Sequence, residues 1–370
     1  MSVLFTPLSL RNLTLANRIV VSPMCQYVAR EGRAHAWHLV HLGGLAQSGA
    51  GLLIIESTAV EAMGRITPGD LGLWDDATEA ALNVVLNGVR QVSAMPIGLQ
   101  LAHAGRKASS DVPWRGGAQL SKADGGWTAC APSAVPQRDD EEPPVALDRR
   151  GLERIRDRFA SAARRAARLG VDCVEIHGGH GYLFHQFLSP LSNHRDDEYG
   201  GSLENRMRFP LEIVDVVRDA FPADRPVGVK LSVTDWVPGG WDIGQSVALT
   251  AALVDHGMDW VTASSAGISP KQSIPVGPGY QVPMAATLRQ VPGACVMAVG
   301  LITEAVQAEE IVASGDADMV AIARGMLYDP RWGWHAAATL GGTVSAAPSY
   351  WRAPPSGLGG IFGTTTQGAR

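Results

Sequence analysis

His177-Gly-Gly-His180-Gly-Tyr182 puts two imidazoles and a phenol within six residues of glycine-rich chain. Neutral imidazole nitrogens can donate hydrogen bonds to a carbonyl oxygen and polarise it, and a nearby phenol can deliver a proton to carbon. The same histidines, at i and i+3, could instead bind a metal, although a third ligand at clear spacing is missing, or could be structural. Ser22-Pro23-Met24-Cys25-Gln26-Tyr27 adds a thiol and a second phenol; a lone Cys25 is otherwise read as a small buried residue. Gln100, His103 and Lys107 cluster around the end of one apolar run, and Lys230 lies within another, where lysine is rarely a packing choice. Gly300 and Arg324-Gly325 each follow a late apolar run. Glycine lets backbone N–H groups approach a phosphate, and a guanidinium grips its oxygens bidentately.

These residues need a scaffold that gathers distant segments. Eight short apolar runs recur at intervals wide enough for a helix: Arg18 to Met24, Leu52 to Glu56, Ile97 to His103, Val171 to His177, Pro226 to Ser232, Trp260 to Ser264, Cys295 to Gly300 and Met319 to Ala323. Continuous rather than alternating apolar character indicates parallel strands covered on both faces. Between them, Leu152, Ile155, Phe159, Ala162, Ala166 and Leu169 form one apolar helix face closed by Gly170, with six arginines read as its solvated side. A further helix is expected to begin at Asp329-Pro330, with Asp as cap. Eight alternating βα units predict an α/β fold, a closed (β/α)8 TIM barrel, with the chemistry just after the strands. Arg106 to Asp148 is too long for an ordinary βα loop and reads as an excursion, a candidate lid, after the third strand. Residues 1–352 form the expected barrel domain; 353–370, with five glycines and no acidic residue, read as a flexible tail.

Composition narrows the function classes. Of 370 residues, 46% are hydrophobic and 18% charged, against ~25% in an average soluble chain, so a large core is available. A net charge of -5 gives no footprint for nucleic acid. Cys25, Cys130, Cys173 and Cys295 are far apart and contain no C-x-x-C pair, so neither a zinc ribbon, an iron–sulfur cluster nor a disulfide framework is expected. No signal peptide is read in MSVLFTPLSL, and the nearly uncharged stretch Trp332 to Trp351 is broken by His335, Gly341, Gly342 and Pro348. A cytoplasmic protein without a membrane partner is expected.

Phe5 to Tyr27 (FTPLSLRNLTLANRIVVSPMCQY), Gln100 to Lys107 (QLAHAGRK), His177 to Asn193 (HGGHGYLFHQFLSPLSN), Asp197 to Phe209 (DEYGGSLENRMRF) and the late VGLIT and IARGMLYDP segments together resemble the old yellow enzymes, flavin-dependent ene-reductases, and most closely the smaller branch with the xenobiotic reductases. The resemblance runs from Leu4 to about Arg352. It implies a TIM barrel holding non-covalent FMN, contacted by Ser22, Pro23, Met24, Cys25, Ala59, Gln100, Lys230, Gly300, Ala323 and Arg324. Cys25 resembles the cysteine beside the reactive flavin edge, His177 and His180 the pair on the substrate oxygen, Tyr182 the proton donor, and Tyr27 a second hydrogen-bonding group, with Lys107 also on the substrate side. NADPH, or NADH, would reduce the flavin, which would pass hydride to the β-carbon of an activated alkene while Tyr182 protonates the α-carbon. No metal is implied. A homodimer, or a homotetramer built from dimers, is expected, with Trp351 reaching the neighbouring subunit's site.

Lys230 stands where the family usually has arginine, Val276 where the xenobiotic reductases carry tryptophan, and His194 where many relatives have arginine. Dienoyl-CoA reductases and amine dehydrogenases on the same barrel are longer and carry an iron–sulfur cluster, for which this chain lacks the cysteines. A metal-dependent hydrolase using His177 and His180, and a flavin-binding protein without turnover, are the alternatives from other classes.

Overall fold

The computed structural model describes residues 2–363 and 365. Its centre is a ring of eight parallel strands: β1 (Ile19–Val21), β2 (Leu52–Ala59), β3 (Ile97–Ala102), β4 (Cys173–Gly178), β5 (Val227–Ser232), β6 (Trp260–Ser264), β7 (Val296–Ala298) and β8 (Met319–Ile322). Each strand pairs with its neighbours in sequence, and β8 pairs back onto β1 through Val320↔Ile19 and Ala321↔Val20, closing the (β/α)8 barrel. The surrounding helices are α1 (Ala36–Leu45), α2 (Asp76–Val92), α3 (Arg149–Arg168), α4 (Leu203–Ala220), α5 (Ile243–Asp255), α6 (Val282–Arg289), α7 (Ala305–Ala313) and α8 (Trp332–Leu340). No helix among the described residues is long and apolar enough to cross a membrane.

The helices bury one stripe each against the outside of the ring. In α3, Asp148 caps the first turn by accepting from Gly151 N at 2.7 Å, Leu152, Ile155 and Phe159 are fully buried, and Gly170 at φ +68° ends the helix as its sequence indicates. Each such large apolar side chain contributes roughly 1.5–3 kcal/mol, which fixes the helix on the sheet. The arginines of α3 do not simply face water. Arg156 pairs with Glu212 at 2.7 Å, Arg165 and Arg168 converge on Glu79, and Arg154 and Arg158 lie 3.3 and 3.8 Å from Glu61. Neighbouring elements supply carboxylates that the helix sequence does not reveal. The last helix also begins later than expected: Asp329 accepts from Arg331 N at 3.0 Å, and regular turns start at Trp332.

The inside of the barrel changes character along its axis. At the strand starts, Val20, Leu52, Cys173, Trp260, Met297 and Met319 form an apolar plug, sealed by Leu10 and Leu15 of an antiparallel hairpin, Leu8–Leu10 and Leu13–Leu15. Toward the strand ends the inward positions become Gln100, Glu175, His177, Lys230 and Thr262, all buried. Polar side chains are thus gathered at the end where the βα loops meet, as the barrel architecture requires of a functional face.

The excursion 106–148 consists of three single 3-10 turns and a two-residue strand pair, Cys130–Ala131 with Val145–Ala146, lying beside that face, and Trp114 from it meets Tyr27 edge-on with ring centroids 5.9 Å apart. The described end of the chain, by contrast, is not a loose tail up to residue 363. Ile361 is buried, its carbonyl accepts from Val344 N at 2.8 Å, and Phe362 packs edge-on against Trp334. Residues 364 and 366–370 of the expected tail lie outside the described residues.

Candidate active site

His177, next to last in β4, has its ring directed into the barrel mouth and pairs in register with Lys230 of β5. The chain then makes a turn that only glycine permits. A Cβ on Gly179 would lie 2.8 Å from Ser232 N, and one on Gly181, at φ +75°, would lie 2.0 Å from Gly267 O, so the loop rests directly on the segments after β5 and β6. His180 is itself held at φ +55°, a strained value for a side-chain-bearing residue. Its backbone N donates to Ser232 Oγ at 2.8 Å, its Nε2 meets Ser264 Oγ at 2.8 Å, and its carbonyl accepts from Lys107 Nζ at 2.9 Å. Below this loop, His185 Nδ1 accepts from Gly181 N at 2.9 Å while Nε2 bonds Asp235 at 2.8 Å. Asp235 in turn accepts from Ser189 Oγ and Trp241 N.

The result is a tight aromatic cluster. The His177 ring stands edge-on to His180 at 5.0 Å and to Tyr182 at 4.8 Å. Burial, reinforced by the Lys230 and Lys107 cations and, for His177, by His180, pushes the pKa of both histidines well below the usual value. They are therefore neutral at pH 7. Gly179 N donates to His177 Nδ1 at 3.3 Å, which leaves the proton on Nε2, available to a ligand. Burial pushes the Tyr182 phenol up, helped by Cys25 and Tyr27, so it keeps its proton. Its ring lies 5.1 Å from the Lys107 ammonium, and its hydroxyl has no hydrogen bond among the described residues. Lys107 spends its bonds on the His180 and Gly267 carbonyls, so it buttresses the loop.

Across the mouth, Cys25, Trp127 and Tyr182 pack against one small buried cluster, Ile66, Ala104, Ala108 and Ala129. Burial, then Asp70 and Glu56, raises its pKa, which holds it as a neutral thiol. Tyr27, at φ +56°, is raised likewise by burial first and then by Cys25. The acids behind it were not singled out by sequence. Burial lifts Glu56 to about 8 and Asp70 to about 6, and Asp70 organises residues 66–70 by accepting from Ile66 N and Thr67.

The other expected flavin contacts stand around the same rim. Ser22, Pro23 and Met24 follow β1, Ala59 ends β2, Gln100 lies inside β3, Gly300 follows β7, and Ala323 with Arg324 follows β8. Gly300, at φ +116°, leaves room for Gln281, whose amide ties Val299 O to Ser265 Oγ. Lys230 is 4% exposed, yet its ammonium forms no hydrogen bond or ion pair among the described residues; burial lowers its pKa against the pull of Glu175. Arg324 is exposed and likewise unpaired among them. An unpaired buried cation is costly, and a flavin seated over it, acceptor-rich and more negative once reduced, relieves that cost. The residues present fit FMN.

Two further residues singled out in the sequence make their contacts away from the His177–Tyr182 cluster. His103 turns away from the mouth to Glu61 at 3.1 Å and Cys130 at 3.9 Å. Those three are the one metal-like grouping among the described residues, and His177 and His180 gain no third ligand. Gly105 N donates to His103 Nδ1 at 3.0 Å, and against burial, which alone would lower it, Cys130 and Glu61 raise the pKa of this ring to about 9. Trp351 lies after a segment, 343–350, that lines a cavity with Asn17, Gly51 and Pro96, residues preceding β1, β2 and β3. In its own subunit it is therefore at the opposite end of the barrel, with Nε1 donating to Ala346 O at 3.1 Å.

Residues 3–341 match the NADH:flavin oxidoreductase / NADH oxidase family. An NADH:flavin oxidoreductase of Gibberella zeae is 44% identical over 344 residues, spanning 88% of this chain and 83% of that protein. An NADPH dehydrogenase of Geobacillus sp. is 42% identical over 353 residues, 95% of this chain and 98% of that one. Among solved structures, morphinone reductase in complex with tetrahydroNAD superposes with a TM-score of 0.75 at 29% identity, covering 94% of this chain and 93% of its own. With these relatives and the neutral imidazole pair, protonated phenol and FMN-compatible rim, the chain belongs to the old yellow enzyme family, as a TIM-barrel, FMN-dependent oxidoreductase that takes hydride from NADH or NADPH.

Proposed function

We propose that this enzyme reduces activated alkenes, α,β-unsaturated carbonyl compounds above all, in the cytoplasm. The observation that carries this reading is the convergence at the barrel mouth of two uncharged imidazoles and one protonated phenol, with the His180 and Tyr182 rings 5.0 and 4.8 Å from that of His177. Bound FMN would supply the redox chemistry, the passage of hydride from NAD(P)H to the β-carbon. His177 donates through Nε2 to the substrate oxygen, with His180 beside it. Both stabilise negative charge that grows on that oxygen only as hydride arrives, which is where binding energy accelerates a reaction. Tyr182 gives its proton to the α-carbon. Tyr27 and Cys25 form the facing wall, and Lys107 holds the loop that carries His180. Anaerobic protein reduced with one equivalent of NADPH, then mixed with 2-cyclohexenone, is expected to return to the oxidised flavin spectrum as cyclohexanone forms in equal amount; a flavin that stays reduced overturns the reading.

The same reading makes Lys230 a contact of the flavin pyrimidine, where the reduced form carries extra negative charge. Lys230→Met is expected to lower the flavin midpoint potential in a reference-dye titration, and an unmoved potential would place the side chain elsewhere. It also assigns Trp351 to the mouth of a neighbouring subunit in a homodimer or in a tetramer of dimers. Aromatic anchors of this kind are typically worth more than ~1 kcal/mol. Trp351→Ala should therefore raise the enone KM about fivefold or more while flavin reduction by NADPH keeps its rate. An unchanged KM would remove Trp351 from the site.

A further inference from the structure

Strand register lines Gln100, Glu175, Gly228 and Trp260 along one row inside the barrel, directly beneath the row of His177, Lys230 and Thr262. Glu175 is 1% exposed, a carboxylate set directly above the apolar plug at the strand starts. Three donors converge on it. Gln100 Nε2 reaches Oε1 at 2.7 Å, while Thr262 Oγ1 at 2.6 Å and Trp260 Nε1 at 3.4 Å reach Oε2. An indole N–H can only donate, so the network suits an ionised carboxylate, which only accepts. Gly228 makes the arrangement possible, because a Cβ there would lie 2.0 Å from the Trp260 ring.

We propose that Glu175 is a positioning residue and fixed counter-charge beneath the flavin, holding the Gln100 carboxamide in one orientation and limiting how far Lys230 favours the reduced cofactor. The inference rests on Gln100 and Lys230 facing FMN, as proposed above. With its amide nitrogen committed to Glu175, Gln100 presents its oxygen to the cofactor and so matches an N–H on the flavin edge. Lys230 and Glu175 do not form a close pair, so both charges act on the flavin through a low-dielectric interior, where such fields are strong. The cation favours added electrons and the carboxylate opposes them. The Thr262 hydrogen bond disperses part of that negative charge.

The signs of three substitutions follow. In holoenzyme titrations against a reference dye, Glu175→Gln is expected to raise the midpoint potential, Thr262→Val to lower it, and Lys230→Met to lower it. Apoprotein carrying Glu175→Gln should also bind FMN roughly tenfold more weakly, the loss of one charge-assisted hydrogen bond that orders Gln100. Glu175→Gln protein that folds and retains wild-type potential and FMN affinity overturns the proposal. If that variant does not fold, Thr262→Val decides it, a downward shift supporting the proposal and an unchanged potential overturning it. Should Lys230→Met and Gln100→Ala leave both FMN affinity and potential untouched, the flavin contacts themselves are misplaced and the inference falls with them, an outcome distinct from failure at Glu175 alone.

Discussion

Tyr182→Phe is expected to leave FMN binding and flavin reduction by NADPH at wild-type rates while slowing reoxidation by an enone by about 10²–10⁴-fold, the usual contribution of a positioned general acid. The substitution removes one hydroxyl whose hydrogen-bonding capacity nothing else among the described residues uses, and it keeps the ring that packs against His177. Loss of stability is therefore not expected to mask the effect. The split between half-reactions is the informative quantity, since a structural role would slow both or neither. Stopped-flow absorbance at the flavin bands measures each separately, and an unchanged oxidative rate would take proton transfer away from Tyr182.

Replacing His177 and His180 together by Ala is expected to weaken binding of phenolic ligands by roughly ten- to a hundredfold, about 0.5–1.5 kcal/mol for each hydrogen bond removed. The sign of the pH response follows from their charge state. Burial depresses both imidazoles, so each is an uncharged donor throughout the neutral range, and the protonated form appears only in acid. Phenol affinity of the wild-type protein should accordingly be flat across neutral pH, bending on the alkaline side as the free phenol ionises. Titration of the flavin spectrum measures both quantities. Equal affinity in the double variant would make the pair structural.

The strands were legible because a parallel sheet covered on both faces leaves uninterrupted apolar runs, and eight of them with helix-length spacing leave few architectures. Boundaries were less so. The run Arg18 to Met24 extends past β1, which ends at Val21; Ser22 N still bonds Ile322 O, but Pro23 and Met24 have left the ladder for the mouth. The groups proposed to act on substrate at the strand ends lie close together in the sequence, since His177, His180 and Tyr182 fall within six residues. Their supports do not. Glu175 reads as one charge in an apolar run, and its meaning depends on Gln100, Trp260 and Thr262, which only strand register brings to it. His185 and Asp235 are 50 residues apart and meet across two βα units. His103 sits in the same motif as Gln100 and Lys107, yet its Nε2 meets Glu61 and Cys130, which come from different loops and which no spacing in the sequence brings to it.

The pairing of Val320 with Ile19 joins the first barrel strand to the last. During synthesis β1 must wait, with one edge unpaired, until some three hundred further residues have left the ribosome, at roughly 5–20 residues per second, so tens of seconds pass before closure. Two open sheet edges are exposed to other nascent chains for that time, and such edges are templates for wrong pairing. The hairpin of Leu10 and Leu15 can seal the barrel floor only afterwards, since Met297 and Met319 form part of its seat. Closure of the ring is thus the last barrel-strand pairing this topology allows, and the slower the synthesis, the longer both edges stay open.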